Sequence, residues 1–394
     1  MKILQINSVC GIGSTGRICT DLLEILHSNN HEGKIYYGRE HSLKKYEKFS
    51  RKISNNLDIY MNVLENRIFD NAGYGTKIYT KRLIKWIEEY SPDIIHLHNI
   101  HGYYINVEIL FEYIKEKQIK VVWTFHDCWP FTGHCTYFDK IKCEKWQSKC
   151  QECNYTKSYP QCWFESDVRK NFDRKKKTFL NVKNMIIVTP SKWLASLVKK
   201  SFLKSYDVRV VHNGIDTKIF KKVDSSFKKD NNIADKIMIL GVASGWSERK
   251  GLSDFIKLSN MLDNRYKIVL VGVENGDIKS TTSNMILINK TNNIKELVEI
   301  YSAADVFLNL TYEDNYPTVN LESQACGTPV ITYNTGGSIE SVPKENIIEQ
   351  GDIKNILNKI ENIKELGIIS KKEMLDKYEL FQGYLKIYKE LYDQ

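Results

Sequence analysis

Short β-branched runs alternate with amphipathic stretches along this chain, and the alternation runs through it twice. In the first half the runs are residues 2–6, 34–37, 94–97, 121–125, 185–188 and 209–211, and helical patterns cover 17–26, 80–89, 107–116 and 167–179. In the second half the runs are 236–242, 267–271, 285–288, 306–308 and 329–332, followed by a lysine-rich helical tail from about 369. Repeated βα units imply parallel sheets covered by helices on both faces. The expected fold class is therefore α/β, with two Rossmann-like, doubly wound domains facing across a cleft. The turn dipeptide Asn213-Gly214 closes a strand and precedes a polar, lysine-rich stretch. It sets the domains at 1–213 and 214–375, with 376–394 a helix packing back toward the first.

A length of 394 residues suits two domains. With 42% hydrophobic residues, 27% charged and only 7 Pro, the chain is neither disordered nor collagen-like. No apolar stretch approaches the ~20 residues that cross a bilayer, and the N-terminus lacks the apolar core of a signal peptide. A cytoplasmic location is expected, with peripheral contact to the inner membrane face. Charge is uneven: residues 1–215 carry 34 Lys and Arg against 22 Asp and Glu, whereas 216–394 carry 23 against 26, a net of +12 followed by −3. Such asymmetry turns the first half toward an anionic partner.

Doubly wound sheets bind ligands outside the carboxyl ends of their strands, so the loops that follow strands matter most. The first, Gly11-Ile12-Gly13-Ser14-Thr15-Gly16-Arg17, is a G-x-G-x-x-G between strand and helix, suited to phosphate. As a dinucleotide fingerprint it would want an acidic residue ending the second strand, where Gly38-Arg39-Glu40 stands. Later loops place His96, His98, His101 and His126 at strand ends. His96 and His98 alternate and so point the same way. In the second half, Arg249 and Lys250 follow a strand and precede a helix, where a diphosphate would meet charge-assisted donors. Asp314 and Glu322 lie eight apart, one in a loop and one in a short helix ended by Gly327 and Pro329; both suit a polyhydroxylated ligand. Thr335-Gly336-Gly337 adds a further strand-to-helix glycine loop.

These motifs, in this order, resemble family-4 glycosyltransferases of the GT-B fold, especially bacterial members that build capsule, colanic-acid-type exopolysaccharide or O-antigen. The segments carrying the resemblance are Asn213-Gly214-Ile215-Asp216, Lys250-Gly251, Asp314 with Glu322, Ala325-Cys326-Gly327-Thr328-Pro329-Val330 and Thr335-Gly336-Gly337. The resemblance implies transfer of a sugar from a UDP- or GDP-sugar with retained anomeric configuration, no catalytic metal and no required cofactor. No Asp-x-Asp occurs in the sequence. By the same resemblance Glu322 would hold ribose hydroxyls, Asp314 with Asn315, Tyr316 and Thr318 the donor sugar, and Lys250 with Arg249 the leaving diphosphate. Gly336 and Gly337 would add backbone donors. His126 would meet the reacting sugar, Gly13, Ser14, Gly16 and Arg17 would lie between donor phosphate and acceptor, and His98 and His101 would face the acceptor, a lipid-diphosphate-linked saccharide. Three departures touch sugar identity and phosphate contacts: Asp314 where Glu is commoner, Pro317 in place of a glycine, and Ser244 where an arginine is often found.

Six of the nine cysteines crowd into 128–162, within an expected insertion of about 128–165. Cys143-x6-Cys150-x2-Cys153-x8-Cys162 offers four thiols for structural zinc without a regular double C-x2-C. The stretch 169–180 interleaves aromatics with Arg169, Lys170, Arg174, Lys175, Lys176 and Lys177, fitting an anionic inner-membrane surface or a solvated helix face. Two rival functions remain at this point. An NAD-dependent oxidoreductase would use the first glycine loop, and a zinc-containing nucleic-acid-binding protein would use the cysteines and basic run. The first leaves 314–337 unexplained and the second leaves two βα lobes without a role, so nucleic acid is not an expected partner.

Overall fold

The computed structural model describes residues 1–153, 155–164, 166–274, 283–369 and 376–394. They form two compact units, Met1–His212 with Phe381–Gln394, and Asn213–Leu380.

The first unit holds a seven-stranded sheet of β1 (Lys2–Asn7), β2 (Glu32–Tyr37), β3 (Ser50–Lys52), β4 (Ile94–Leu97), β5 (Lys120–Thr124), β6 (Met185–Thr189) and β7 (Asp207–Val210). Its order is β3-β2-β1-β4-β5-β6-β7, and every pairing is parallel. Central strands are apolar on both faces because helices cover both: Ile3, Leu4, Ile6, Ile94, Ile95 and Val121 are fully buried. Two helices went unforeseen, Asn56–Phe69 and Lys192–Lys200. The first has inverted amphipathicity. Asn62 and Asn66 are buried, while Leu57, Tyr60, Met61 and Leu64 stand exposed, so periodicity marks no core stripe there. Helix Lys377–Asp393 closes this unit with its last part. Tyr388 hydroxyl meets His96 Nδ1 at 2.6 Å, Tyr384 hydroxyl meets Thr124 Oγ1 at 3.1 Å, and Arg209 pairs with Glu390 at 2.6 Å.

The second unit repeats the plan with β8 (Ile237–Val242), β9 (Tyr266–Val271), β10 (Met285–Ile288), β11 (Val306–Asn309), β12 (Val330–Tyr333) and β13 (Ile347–Ile348). The order β10-β9-β8-β11-β12-β13 is again wholly parallel. The order in which strands are added reverses between β8 and β11 here, and between β1 and β4 in the first unit. These are the two switch points where such sheets bind ligands. The tail expected from 369 falls partly outside the described residues, and its helix begins at Lys377. Asn154 and Glu165, in the expected insertion, also lie outside them. Among the described residues no helix is long and apolar enough to cross a membrane.

Candidate active site

In the second unit the switch point is bridged by charge. The loop after β8 ends in a short turn carrying Arg249 and Lys250, and Gly251 follows with φ +76. A Cβ on Gly251 would stand 2.2 Å from the Leu310 carbonyl oxygen, so only glycine brings this loop against the end of β11. The approach lets Lys250 Nζ meet Asp314 Oδ2 at 2.6 Å, and Arg249 Nη1 donate to the Glu313 carbonyl at 2.8 Å. Both partners of the ion pair are largely buried, with side chains 22% and 16% exposed. Burial alone would raise the Asp314 carboxyl, but Lys250, Arg249 and the Asn315 N–H more than offset it and hold Asp314 below the usual carboxylate range.

Helix Thr318–Ala325 starts beyond Pro317 with no side-chain cap, so its first N–H groups face the same loop. Glu322 lies one turn in, 4% exposed, and accepts from the Tyr301 hydroxyl at 3.1 Å. Thr335 donates to the Tyr312 carbonyl at 2.8 Å, which fastens the Gly336-Gly337 loop after β12 to the loop after β11. Lys250, Arg249, Asp314, Asn315, Tyr316, Thr318, Glu322, Gly336 and Gly337 thus occupy neighbouring strand ends of one sheet.

In the first unit, helix Gly13–Ser28 begins within the glycine motif, with Ile12 before it, no side-chain cap and no acidic residue in its first turn. Gly13, Ser14 and Arg17 are exposed at this positive end, and Gly16 packs under the loop, its carbonyl accepting from Gly11 at 3.0 Å.

Beside it the histidines form a hydrogen-bonded row. Gln5 Nε2 donates to the Cys19 carbonyl at 2.9 Å, which turns Gln5 Oε1 toward His98 Nε2 at 3.2 Å. An amide oxygen only accepts, so this network assigns the His98 proton to Nε2. His98 Nδ1 then accepts from His126 Nε2 at 3.1 Å, which makes Nδ1 the acceptor nitrogen of His126. Burial lowers His96 and His98 well below the usual imidazole range and lowers His126 to about 4, so the row is neutral at physiological pH.

Several expectations change here. His98 is 2% exposed with both ring nitrogens engaged, so it supports His126 and does not reach an acceptor. His101 is likewise inward, with Nε2 on Asp127 Oδ2 at 2.9 Å and Nδ1 on the Tyr159 hydroxyl at 3.4 Å. Burial would raise Asp127, but His101 and the Trp129 N–H outweigh it and keep it low. Cys143, Cys150, Cys153 and Cys162 do not gather as one set, because the Cys162 thiol turns to the Arg67 carbonyl at 3.5 Å. Among the described residues no group of three or more His, Cys, Asp and Glu side chains stands ready to hold a metal ion. The basic run is not uniformly solvated either: Lys175 is 1% exposed and donates to the Trp129 and Thr132 carbonyls. Sequence reasoning missed Gln5, whose signal is one polar residue inside an apolar strand, and Tyr301, which left none.

Two doubly wound parallel units, with a cationic loop and a carboxylate-bearing helix at one switch point, define a GT-B-type glycosyltransferase. Residues 15–219 match the profile described as glycosyltransferase family 4, and residues 223–379 that described as glycosyl transferases group 1. The chain belongs to glycosyltransferase family 4, and the oxidoreductase and nucleic-acid readings fall away. It is 21% identical over 357 residues to the colanic acid biosynthesis glycosyl transferase WcaC of Escherichia coli (strain K12), covering 87% of this chain and 86% of that one. Sucrose-phosphate synthase of Thermosynechococcus elongatus shares its fold with a TM-score of 0.71 at 12% identity, over 100% of this chain and 99% of that one. The Anabaena HepE structure in complex with UDP-glucose gives 0.62 at 13%, over 100% and 98%.

Proposed function

We propose that this enzyme transfers a sugar from a nucleoside-diphosphate sugar, UDP- or GDP-linked, to a lipid-diphosphate-linked or saccharide acceptor during assembly of a bacterial surface polysaccharide. The anomeric configuration is retained and no catalytic metal takes part. The observation that carries this reading is the Lys250–Asp314 pair at the β8/β11 switch point, with Arg249 beside it and Glu322 a turn into the next helix. Support comes from the colanic acid relative and from the UDP-glucose complex of a protein with the same fold.

In the reaction the bond from the anomeric carbon to the diphosphate oxygen breaks, one to the acceptor oxygen forms, and the acceptor's hydroxyl proton leaves with the diphosphate. Positive charge grows on the sugar ring and negative charge on the diphosphate. Lys250, Arg249 and the backbone N–H groups at 318 and 336–337 meet the diphosphate as fixed donors, the arrangement that lowers such barriers most. Asp314 and the 315–318 backbone hold the donor sugar, Glu322 the ribose, and His126 Nδ1 accepts from a sugar hydroxyl. Gly13 to Arg17 contribute a positive helix end. The exposed stripe Leu57, Tyr60, Met61 and Leu64, at helical spacing on a basic unit, suits an anionic inner-membrane surface that holds the lipid-linked acceptor.

The test is ligand-dependent stabilisation with a donor panel. UDP or GDP raises the melting temperature where NAD(H) does not, and one nucleotide sugar gives a product of increased mass on a lipid-linked acceptor. Glu322→Ala keeps the fold and loses nucleotide stabilisation and turnover. Equal response to NAD(H), or ordinary turnover in Glu322→Ala, would refute the reading.

A further inference from the structure

Four thiols of the first unit surround one small space, and they are not the four the sequence spacing first suggested. Cys135, Cys143, Cys150 and Cys153 line a cavity of about 20 Å³ together with Phe138, Trp146 and Val168. That is room for a single water-sized particle. All four are free cysteines. No pair of them is bridged, so the cavity is not closed by a disulfide.

Three features mark this as a place for thiolates and a cation. Backbone donors already point at sulfur: Gly133 N–H reaches Cys150 Sγ at 3.2 Å, and Tyr155 N–H bonds to Cys153. Such donors are what a ligating sulfur needs around it. A buried ammonium lies close by. Lys175 is held by the Trp129 and Thr132 carbonyls and interacts electrostatically with Cys135 and Cys150. A divalent ion with four thiolates is net −2, which a neighbouring cation offsets. The third feature is spacing: Cys150-x2-Cys153 supplies a short chelating turn, and Cys135-x7-Cys143 supplies two more sulfurs from one loop.

We propose that Cys135, Cys143, Cys150 and Cys153 bind one zinc ion as a structural tetrathiolate site. In the structure the four thiols line one cavity without being drawn together as a ligand set, and closing on an ion is what the proposal requires of them. Zinc takes the thiolate form of each cysteine, so its binding releases protons. All four sulfurs come from the segment after β5, so the ion closes that segment on itself. That segment carries Asp127, Trp129 and Tyr159, which pack on His101.

Elemental analysis of the full chain, purified without chelator, should give about one zinc per chain. Cys135→Ser and Cys150→Ser lose it and Cys162→Ser keeps it. Independently of how well the serine variants fold, the wild-type protein stripped with chelator and given Co2+ supplies a second readout: an intense thiolate-to-cobalt absorption in the near ultraviolet. Zinc below about a tenth of an equivalent together with no such band overturns the site. Metal lost as fully in Cys162→Ser as in Cys150→Ser overturns the ligand set.

Discussion

The two units use one architecture to hold opposite kinds of chemistry. At the β1/β4 switch point and the neighbouring end of β5, the first unit places Gln5, His98 and His126, neutral and joined by hydrogen bonds. At the β8/β11 switch point the second places Lys250 against Asp314, both charged. Pairing explains the difference. Lys250 and Asp314 each offset the other's buried charge, whereas imidazoles hydrogen-bonded to one another avoid that cost by staying neutral. Neutral acceptors suit sugar hydroxyls, and fixed cations suit a diphosphate.

The largest effect should come from breaking the charged side. On the proposed reading Lys250→Ala removes a donor to the leaving group, and it should lower turnover by at least ~100-fold. It also leaves Asp314 largely buried without its cation, at a cost on the order of 1–3 kcal/mol, less than for a fully buried pair because both side chains retain some exposure. Lys250→Ala/Asp314→Ala should therefore recover stability without recovering turnover. Urea denaturation and single-turnover rates on the three variants decide it; a double variant no more stable than Lys250→Ala means the pair is not coupled.

Acid should separate the units next. All nine histidines lie in the first unit. His96, His98 and His126 have folded pKa values below the unfolded one, so the unfolded chain binds more protons at mildly acid pH. Their contribution is complete above about pH 6.5 and declines as pH falls toward 4, by about 1.4 kcal/mol per pH unit for each histidine that titrates only when unfolded. Asp314 also has a lowered pKa, so its contribution is lost only as pH falls below the ordinary carboxylate range, near 4. Pulse proteolysis in urea with peptide mapping, at pH 7, 5.5 and 4.5, should show Met1–His212 weakening before Asn213–Leu380. Gln5→Leu, which removes the acceptor that sets His98, should shift the His126 tautomer seen by 15N chemical shifts. An unchanged tautomer would mean that Gln5 has no part in setting it.

The same contrast explains what the sequence could reveal. Strand-and-helix alternation located eleven of the strand segments to within a few residues, since buried parallel strands are continuous apolar runs. Lys250, Asp314 and Glu322 were legible because glycines and a proline bracket them in loops and a short helix. His98 and His101 were misread because alternation assigns a face and does not say what covers it; Gln5, Asp127 and Tyr159 do. Cys162 and Lys175 were misassigned for a similar reason. Spacing along the chain grouped Cys162 with thiols that the fold separates from it, and a run of lysines concealed the one that a helical turn directs inward.

The smallest effect concerns the exterior, where the units differ by +12 against −3 across the sequence halves. Two faces of the first unit are candidates for the proposed membrane contact. Helix Val168–Phe179 exposes Arg169, Lys170, Lys176 and Lys177, but Lys175 is inside and Arg174 pairs with Glu108 at 2.7 Å, so fewer charges remain than its sequence suggests. Helix Asn56–Phe69 exposes Leu57, Tyr60, Met61 and Leu64 on one face and hides Asn62 and Asn66. Each basic residue near an anionic surface contributes about 1 kcal/mol, a roughly fivefold change in partition, and salt screens it. Apolar side chains entering the interface contribute at any ionic strength. Leu57→Ser/Met61→Ser should therefore weaken flotation with vesicles containing phosphatidylserine at both low and high salt, whereas Lys176→Gln/Lys177→Gln should weaken it only at low salt. If the serine pair leaves flotation unchanged and the glutamine pair abolishes it, the charged helix is the docking face and the apolar stripe has another use.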